Sequence, residues 1–170
     1  MNVLRGEVVT LRPRTDDDVA ALAAIRAHPE VWRHWGGGDD PAAAVRSELG
    51  DHGTVGSVIE VDGQVAGWIS WYEDADPEYR HAGMDLYVDP ARRGRGVGPD
   101  AVRTLARHLL TDQGHHRLVI DPAADNLPAI RAYEKVGFQR VGIMRAYERG
   151  ADGTFHDCLL MDLLADDLTA

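Results

Sequence analysis

His81-Ala82-Gly83-Met84-Asp85-Leu86-Tyr87-Val88-Asp89-Pro90-Ala91-Arg92-Arg93-Gly94-Arg95-Gly96-Val97-Gly98 is the stretch from which the rest of the chain is read. Its first eight residues alternate as a strand does: Met84, Leu86 and Val88 fall on one face, Asp85 and Tyr87 on the other. Three glycines follow within five residues. Pro99 then opens a predicted helix over 99–113, whose buried stripe is Val102, Leu105, Ala106, Leu109 and Leu110. Strand, glycine turn and helix in that order build an anion site. Glycines lack a Cβ, so the backbone reaches left-handed angles and comes close to a ligand. Arg93, Gly94, Arg95, Gly96, Val97 and Gly98 turn their N–H groups toward one concavity, at the positive end of the helix dipole. Pro99 has no N–H to waste in the first turn. A pyrophosphate suits such a cradle, with arginines at its rim. A purely structural turn is the other reading. The Gly-Lys-Ser/Thr ending of a triphosphate loop and the early position of a dinucleotide unit are both missing.

Outward from this unit, residues 8–12 read as a strand that Pro13 ends. Thr15 suits the cap of a helix to about Ala27, with Val19, Leu22, Ala23 and Arg26 at helical period. Residues 29–38 read as a short helix carrying Val31, Trp32 and Trp35 that opens into three glycines. A further helix over 41–49 starts at Pro41, with Asp40 as its cap. Asp62-Gly63 between residues 55–61 and 64–72 predicts a hairpin, since this pair supplies the positive φ of a tight turn. Residues 117–121 form a short apolar strand. A helix over 126–136 is closed by Gly137, and strands over 138–144 and 158–163 flank the turn at Asp152-Gly153. Helices interleaved with mainly antiparallel strands, plus one strand–turn–helix unit, predict an α/β sandwich with a mixed sheet.

At 170 residues, 44% of them hydrophobic, the chain has the size of one domain with one well-buried core. It contains no run of about 18 uncharged apolar residues, as a membrane span needs. The N-terminus lacks a basic-then-apolar signal pattern, and a lone cysteine, Cys158, excludes an internal disulfide; both point to the cytoplasm. The formal net charge of −10 argues against nucleic acid and anionic membranes as partners. Arginines nevertheless gather at Arg92, Arg93, Arg95, Arg103 and Arg107, while carboxylates gather elsewhere. That split suits an anionic cofactor and a cationic substrate, although acidic runs also serve simply as solvated faces.

Arg-x-x-Gly-x-Gly directly after Leu86-Tyr87-Val88-Asp89-Pro90 resembles the acetyl-CoA motif of the GNAT superfamily of N-acetyltransferases. The Asn126…Tyr133-Glu134-Lys135-Val136-Gly137-Phe138 segment and the hairpin follow in family order, so the resemblance covers nearly the whole chain. It implies one N-acetyltransferase domain over 1–170 with the GNAT fold, a mixed, mostly antiparallel central sheet flanked by helices, with a splayed acetyl-CoA-binding strand pair. Three segments are more closely similar to aminoglycoside 6'-N-acetyltransferases: His34-Trp35-Gly36-Gly37-Gly38-Asp39-Asp40, Gly83-Met84-Asp85, and the run from Asp121-Pro122 through Asn126-Leu127 to Tyr133-Glu134-Lys135. The chain departs from them between Trp71 and His81, where its connection is shorter. Lysine acyltransferases of siderophore type share parts of the pattern.

The resemblance implies acetyl-CoA as co-substrate. Its pyrophosphate would lie on Arg93, Gly94, Arg95, Gly96, Val97, Gly98 and Pro99, and its pantetheine arm along the main chain of Leu86, Tyr87 and Val88, with Asn126 nearby. One main-chain N–H there would polarise the thioester carbonyl. Asp85 is the candidate base, because an aminoglycoside amine is largely protonated at neutral pH and must lose a proton before it attacks; otherwise it is an ordinary strand carboxylate. By periodicity alone Tyr133 reads better as a core residue; the resemblance makes it instead the candidate acid for the leaving thiolate, whose basicity a phenol of pKa near 10 matches. Trp35, Asp39, Trp71, Asp85 and Asp121 are the candidate substrate contacts. Trp68 and Trp71 lie at odd spacing, so they cannot share a strand face.

The eight histidines show no metal spacing, and no metal is expected. His115-His116 follows the cofactor helix, where positive charge suits the dipole. Direct transfer in a ternary complex is expected, since Cys158 is far in sequence from every cofactor motif. The expected partner is a small polycationic amine, with the chain a monomer or homodimer. Acetylation of another small amine, a polyamine or siderophore lysine, and a non-catalytic acyl-CoA-binding module remain open alternatives.

Overall fold

The computed structural model describes residues 2–35, 40–48 and 53–169. Eight strands form a single sheet in the order β1 (Leu4–Arg5), β2 (Thr10–Arg12), β3 (Val55–Val61), β4 (Gln64–Asp74), β5 (His81–Val88), β6 (Arg117–Ile120), β8 (Phe155–Leu164) and β7 (Gln139–Arg149). All neighbours are antiparallel except β5 and β6. Among the described residues five α-helices accompany it: α1 (Val19–Arg26), α2 (Pro29–Trp35), α3 (Pro41–Ser47), α4 (Val97–Thr111) and α5 (Leu127–Glu134). The expected mixed sheet is present.

Alternation along the strands sends apolar side chains to both faces, which makes two cores. The larger lies under α4 and α5 and includes Met84, Leu105, Leu109, Ile130 and Met161. The smaller, under α1, α2 and α3, is built around Trp68, Tyr87, Leu22 and Val58. Asp100, buried near the start of α4, accepts from the N–H groups of Glu7, Val8 and Val9 and fastens the β1–β2 turn to the helix. Asp62 and Gly63 have φ of 52° and 73°, as a tight hairpin requires.

Several element bounds shift from the expectation, each for a local reason. The helix after the glycine turn starts at Val97, because Gly96 takes the left-handed angle (φ 79°) and becomes its N-cap. Pro99 is therefore the third helical residue, still in the first turn where no N–H partner exists. Thr15 opens a 3-10 turn over Asp16–Asp18 before α1 begins. Asp40 caps α3, accepting from Ala42 N and Ala43 N at 2.9 and 3.0 Å. β7 continues to Arg149, past the expected end at Met144, across a register break between Met144 and Glu148.

Candidate active site

The site grows from one divergence in the sheet. β5 and β6 pair only at Ala82–Leu118 and Gly83–Val119, and beyond that they part. Asp89 N donates to Ala66 O at 2.8 Å, and bonded pairs alternate along an antiparallel ladder. Asp85 and Tyr87 therefore turn their N–H and C=O groups toward β4, while Leu86 and Val88 turn theirs away, into the gap that β6 has left. This open edge suits an extended amide-bearing arm. Trp35 already exploits it: its indole Nε1 donates to the Leu86 carbonyl at 3.2 Å. Tyr87 also borders the cavity along this edge, but by its main chain it differs from Leu86 and Val88. Its main chain is engaged with β4, and its ring is buried in the smaller core, edge-on to Trp35 at 4.9 Å.

One cavity, of about 700 Å³, runs from this edge to the glycine turn. Leu86, Val88, Arg93, Gly94, Gly96, Val97, Gly98, Pro99 and Asn126 line it. Gly94 and Gly96 have φ of 73° and 79°, and a Cβ at either would meet nothing within 4 Å. They are glycine for their backbone angles, not for lack of room. No side chain caps the start of α4, so the first N–H groups of this 15-residue helix are free to hold anionic oxygens. These features fit a coenzyme A pyrophosphate and pantetheine. Arg93 stands at the rim, paired with Glu30 of α2 at 2.5 Å, whereas Arg95 is exposed and outside the lining.

A second cavity, of about 360 Å³, opens on the other side of the same strand end. Trp35, His34, Leu86, Asn126 and Tyr133 line both, so the two meet there. Asp85 reaches into the second cavity from β5, beside Ser70 and Trp68 of β4, and Asp121 reaches in from the end of β6. Asp85 is open to the cleft, yet protein surrounds its carboxylate on most sides. That burial, then Asp121 and Glu148, pushes its pKa up to about 6. Burial and Glu148 also raise Asp121, against a lowering hydrogen bond from the Tyr147 hydroxyl. Tyr133 is buried in α5 near Phe138, and burial holds its phenol well above the usual value. Asn126 caps α5 by accepting from Ala129 N at 3.3 Å.

Not every expected substrate contact is present. Trp71 pairs with Met84 in the β4–β5 ladder, and so lies on the α4 face of the sheet, edge-on to His115 at 5.8 Å. It is turned away from Asp85. Trp68, of opposite parity, is the β4 tryptophan that borders the cleft. His115 itself is buried and its pKa is lowered by that burial, which opposes the positive charge expected at the helix end. Asp39 lies outside the described residues.

Tyr147 and Glu148 were missed altogether, because they follow the residue at which the apolar pattern of β7 stops. Cys158 is closer to the site than its sequence position suggested. It bridges to Ala123, and its thiol lies 3.6 Å from Glu148 Oε2. Burial, then Glu148 and Asp121, pushes that thiol up to about 12, so it is no thiolate nucleophile. Among the described residues no group of three or more His, Cys, Asp or Glu side chains could hold a metal ion. No helix among them is long and apolar enough to cross a membrane.

Comparison with known proteins agrees with this geometry. The sequence profile of the acetyltransferase (GNAT) domain matches residues 9–139. The chain is 30% identical over 153 residues to an aminoglycoside N(6')-acetyltransferase type 1 of Klebsiella pneumoniae, covering 79% of this chain and 75% of that one. It is 32% identical over 151 residues to the N-alpha-acetyltransferase RimI of Mycobacterium tuberculosis, covering 86% and 89%. The solved structure of AAC(6')-Ib in complex with paromomycin and acetyl-CoA superposes with a TM-score of 0.76 at 26% identity, covering 95% of this chain and 96% of that one.

Proposed function

The chain belongs to the GNAT family of acetyltransferases, with acetyl-CoA as its co-substrate, and from that premise we propose a specific acceptor: the 6'-amine of aminoglycoside antibiotics. The observation that carries this reading is the charge of the second cavity. Four carboxylates line it, Glu48, Asp85, Asp121 and Glu148, and its described lining contains no lysine or arginine. Arg26 of α1 neutralises Glu48. The other three have no ion-pair partner among the described residues, which favours a polycationic guest. The aminoglycoside relatives support the same choice. In this reading the protein confers resistance from the cytoplasm.

Acetyl-CoA supplies the acetyl group as a thioester. The main-chain edge at Leu86 and Val88 holds its amide-bearing arm like an added strand, and one of those N–H groups polarises the thioester carbonyl. Arg93 and the first N–H groups of α4 hold the pyrophosphate. Asp85 binds the acceptor ammonium and takes one proton from it, directly or through water; a pKa near 6 suits a base that works at neutral pH. The freed amine attacks the thioester carbon, the new C–N bond replacing C–S. Tyr133 donates a proton to the departing sulfur. The second amine proton, shed as the amide forms, restores Tyr133 through water.

Thiol release from acetyl-CoA tests the acceptor. Turnover with kanamycin and tobramycin, and little with spermidine or lysine hydroxamates, is expected. A second reading, transfer to a polypeptide α-amine, is favoured by the RimI relative. Faster turnover with a short peptide bearing a free N-terminus than with either drug would replace the first reading by this one.

A further inference from the structure

A carboxylate stands beside the group proposed to hold the cofactor's anion. Glu30 of α2 lines the cofactor cavity, and its Oε2 accepts from Arg93 Nη1 at 2.5 Å. The helix that presents it is fixed in place. Val31, the next residue, is buried in the smaller core, and at the far end Trp35 donates to the Leu86 carbonyl. The Arg26 guanidinium lies over the Trp35 ring at 5.3 Å, and Tyr87 meets it edge-on. Between these anchors Arg33 pairs with Asp125 at 2.5 Å. The side chains of Glu30 and Arg93, by contrast, are 62% and 45% exposed, so they can part without disturbing the core.

Four permanent cations line this cavity, Arg33, Arg93, Arg131 and Lys135, against two carboxylates, Glu30 and Asp125. Each carboxylate answers one arginine, while Arg131 and Lys135 have no ion-pair partner among the described residues. A pyrophosphate that reaches Arg93 must displace or share Glu30, and it meets the carboxylate's negative charge as well. Glu30 therefore opposes binding at the group that favours it. The chemistry of the cycle gives this opposition a use. Acetyl-CoA and the CoA product carry the same pyrophosphate, and affinity for a shared part grips both alike without speeding the chemical step. An unrestrained grip there would slow the departure of CoA, a step that often limits turnover.

We propose that Glu30 is a positioning residue that hastens release of CoA, by taking back the Arg93 guanidinium from the departing pyrophosphate. It acts through Arg93 and touches neither the acetyl group nor the acceptor. Its role rests on the pyrophosphate lying at Arg93, and not on which amine receives the acetyl group.

CoA binding in the absence of any acceptor tests this, with isothermal titration calorimetry for Kd and stopped-flow displacement for the dissociation rate. Glu30→Gln removes the charge but keeps an oxygen that can accept from Arg93. It should lower Kd for CoA by about fivefold, the upper end of what an exposed pair contributes. The gain should lie in slower dissociation, and CoA should become a correspondingly stronger product inhibitor. Arg93→Gln alone should weaken CoA by about tenfold. In that background Glu30→Gln should change Kd by less than about twofold, since the two residues act as one unit. Unchanged or weaker binding in Glu30→Gln, a gain carried by faster association alone, or an equal gain in both backgrounds overturns the role of Glu30 and leaves that of Arg93. If Arg93→Gln leaves Kd unchanged, the pyrophosphate does not lie at Arg93, and both readings fall.

Discussion

The two cavities that meet at Leu86 and Tyr133 are made of different materials. The cofactor side is mostly main chain: the unpaired edge of β5, left-handed Gly94 and Gly96, and the uncapped start of α4. The acceptor side is made of side chains: Asp85, Asp121 and Glu148, with Trp35 and Trp68 as walls. Main-chain groups recognise what every acetyl-CoA shares, and they can be disturbed only through backbone angles. Carboxylates recognise the pattern of charge on one acceptor, and each can be exchanged without changing the fold. Cofactor binding and acceptor choice should therefore separate under mutation.

Asp85→Asn is the severest test of that separation. Loss of the base should lower kcat by roughly 10²- to 10³-fold, with KM for acetyl-CoA within about twofold of wild type. A parallel loss of cofactor affinity would break the division between the cavities. Tyr133 stands on their boundary, and Tyr133→Phe should lower kcat by about tenfold or more while leaving both KM values near wild type. Wild-type turnover would return Tyr133 to the core alone.

Gly96→Ala probes the other side. Holding alanine at a left-handed angle costs about 1–2 kcal/mol, so KM for acetyl-CoA should rise by about tenfold and acceptor KM should stay put. An acceptor effect of equal size would mean that the two cavities share a backbone.

The smallest effects concern pH. Asp85 must be ionised to act, so kcat/KM for the amine should rise as pH climbs through about 6, and the limb should vanish in Asp85→Asn. Stability moves the opposite way. The native pKa lies above the ordinary value of 3.8, so the native state binds the extra proton between about 4 and 6. Stability from this group is present below that window and lost as pH rises through it. Asp85→Asn should accordingly raise Tm slightly at pH 8 and not at pH 4, as differential scanning fluorimetry would show.

Much of the cofactor side is legible in the sequence, because its signals are local. Gly94, Gly96 and Gly98 lie between an alternating strand and an amphipathic helix, and turn chemistry of that kind depends on neighbours in sequence. The helix start differs, since the proline signal at Pro99 outweighs the left-handed cap at Gly96, and Arg95 stands outside the cavity that Arg93 borders. Asp85 was legible as the polar residue of an apolar strand. Trp71 was not: strand parity separates it from Trp68, but parity does not say which face holds the cleft. Tyr147 and Glu148 were invisible for a different reason. A bulge is stabilised by contacts across the sheet, here Asp157 on β8, and leaves no period in its own strand.

By itself, then, the sequence determined the order of elements, the anion cradle and the identity of the groups able to move a proton, because short-range stereochemistry and periodicity specify these. Only the tertiary structure decided where β5 and β6 part, which tryptophan faces the acceptor, and that three carboxylates from β5, the end of β6 and β7 converge on one cavity with no ion-pair partner among the described residues. Those facts depend on long-range pairing. Residues 85, 121 and 148 become neighbours only when the parallel pair splays and the last hairpin kinks, and no local pattern encodes that meeting.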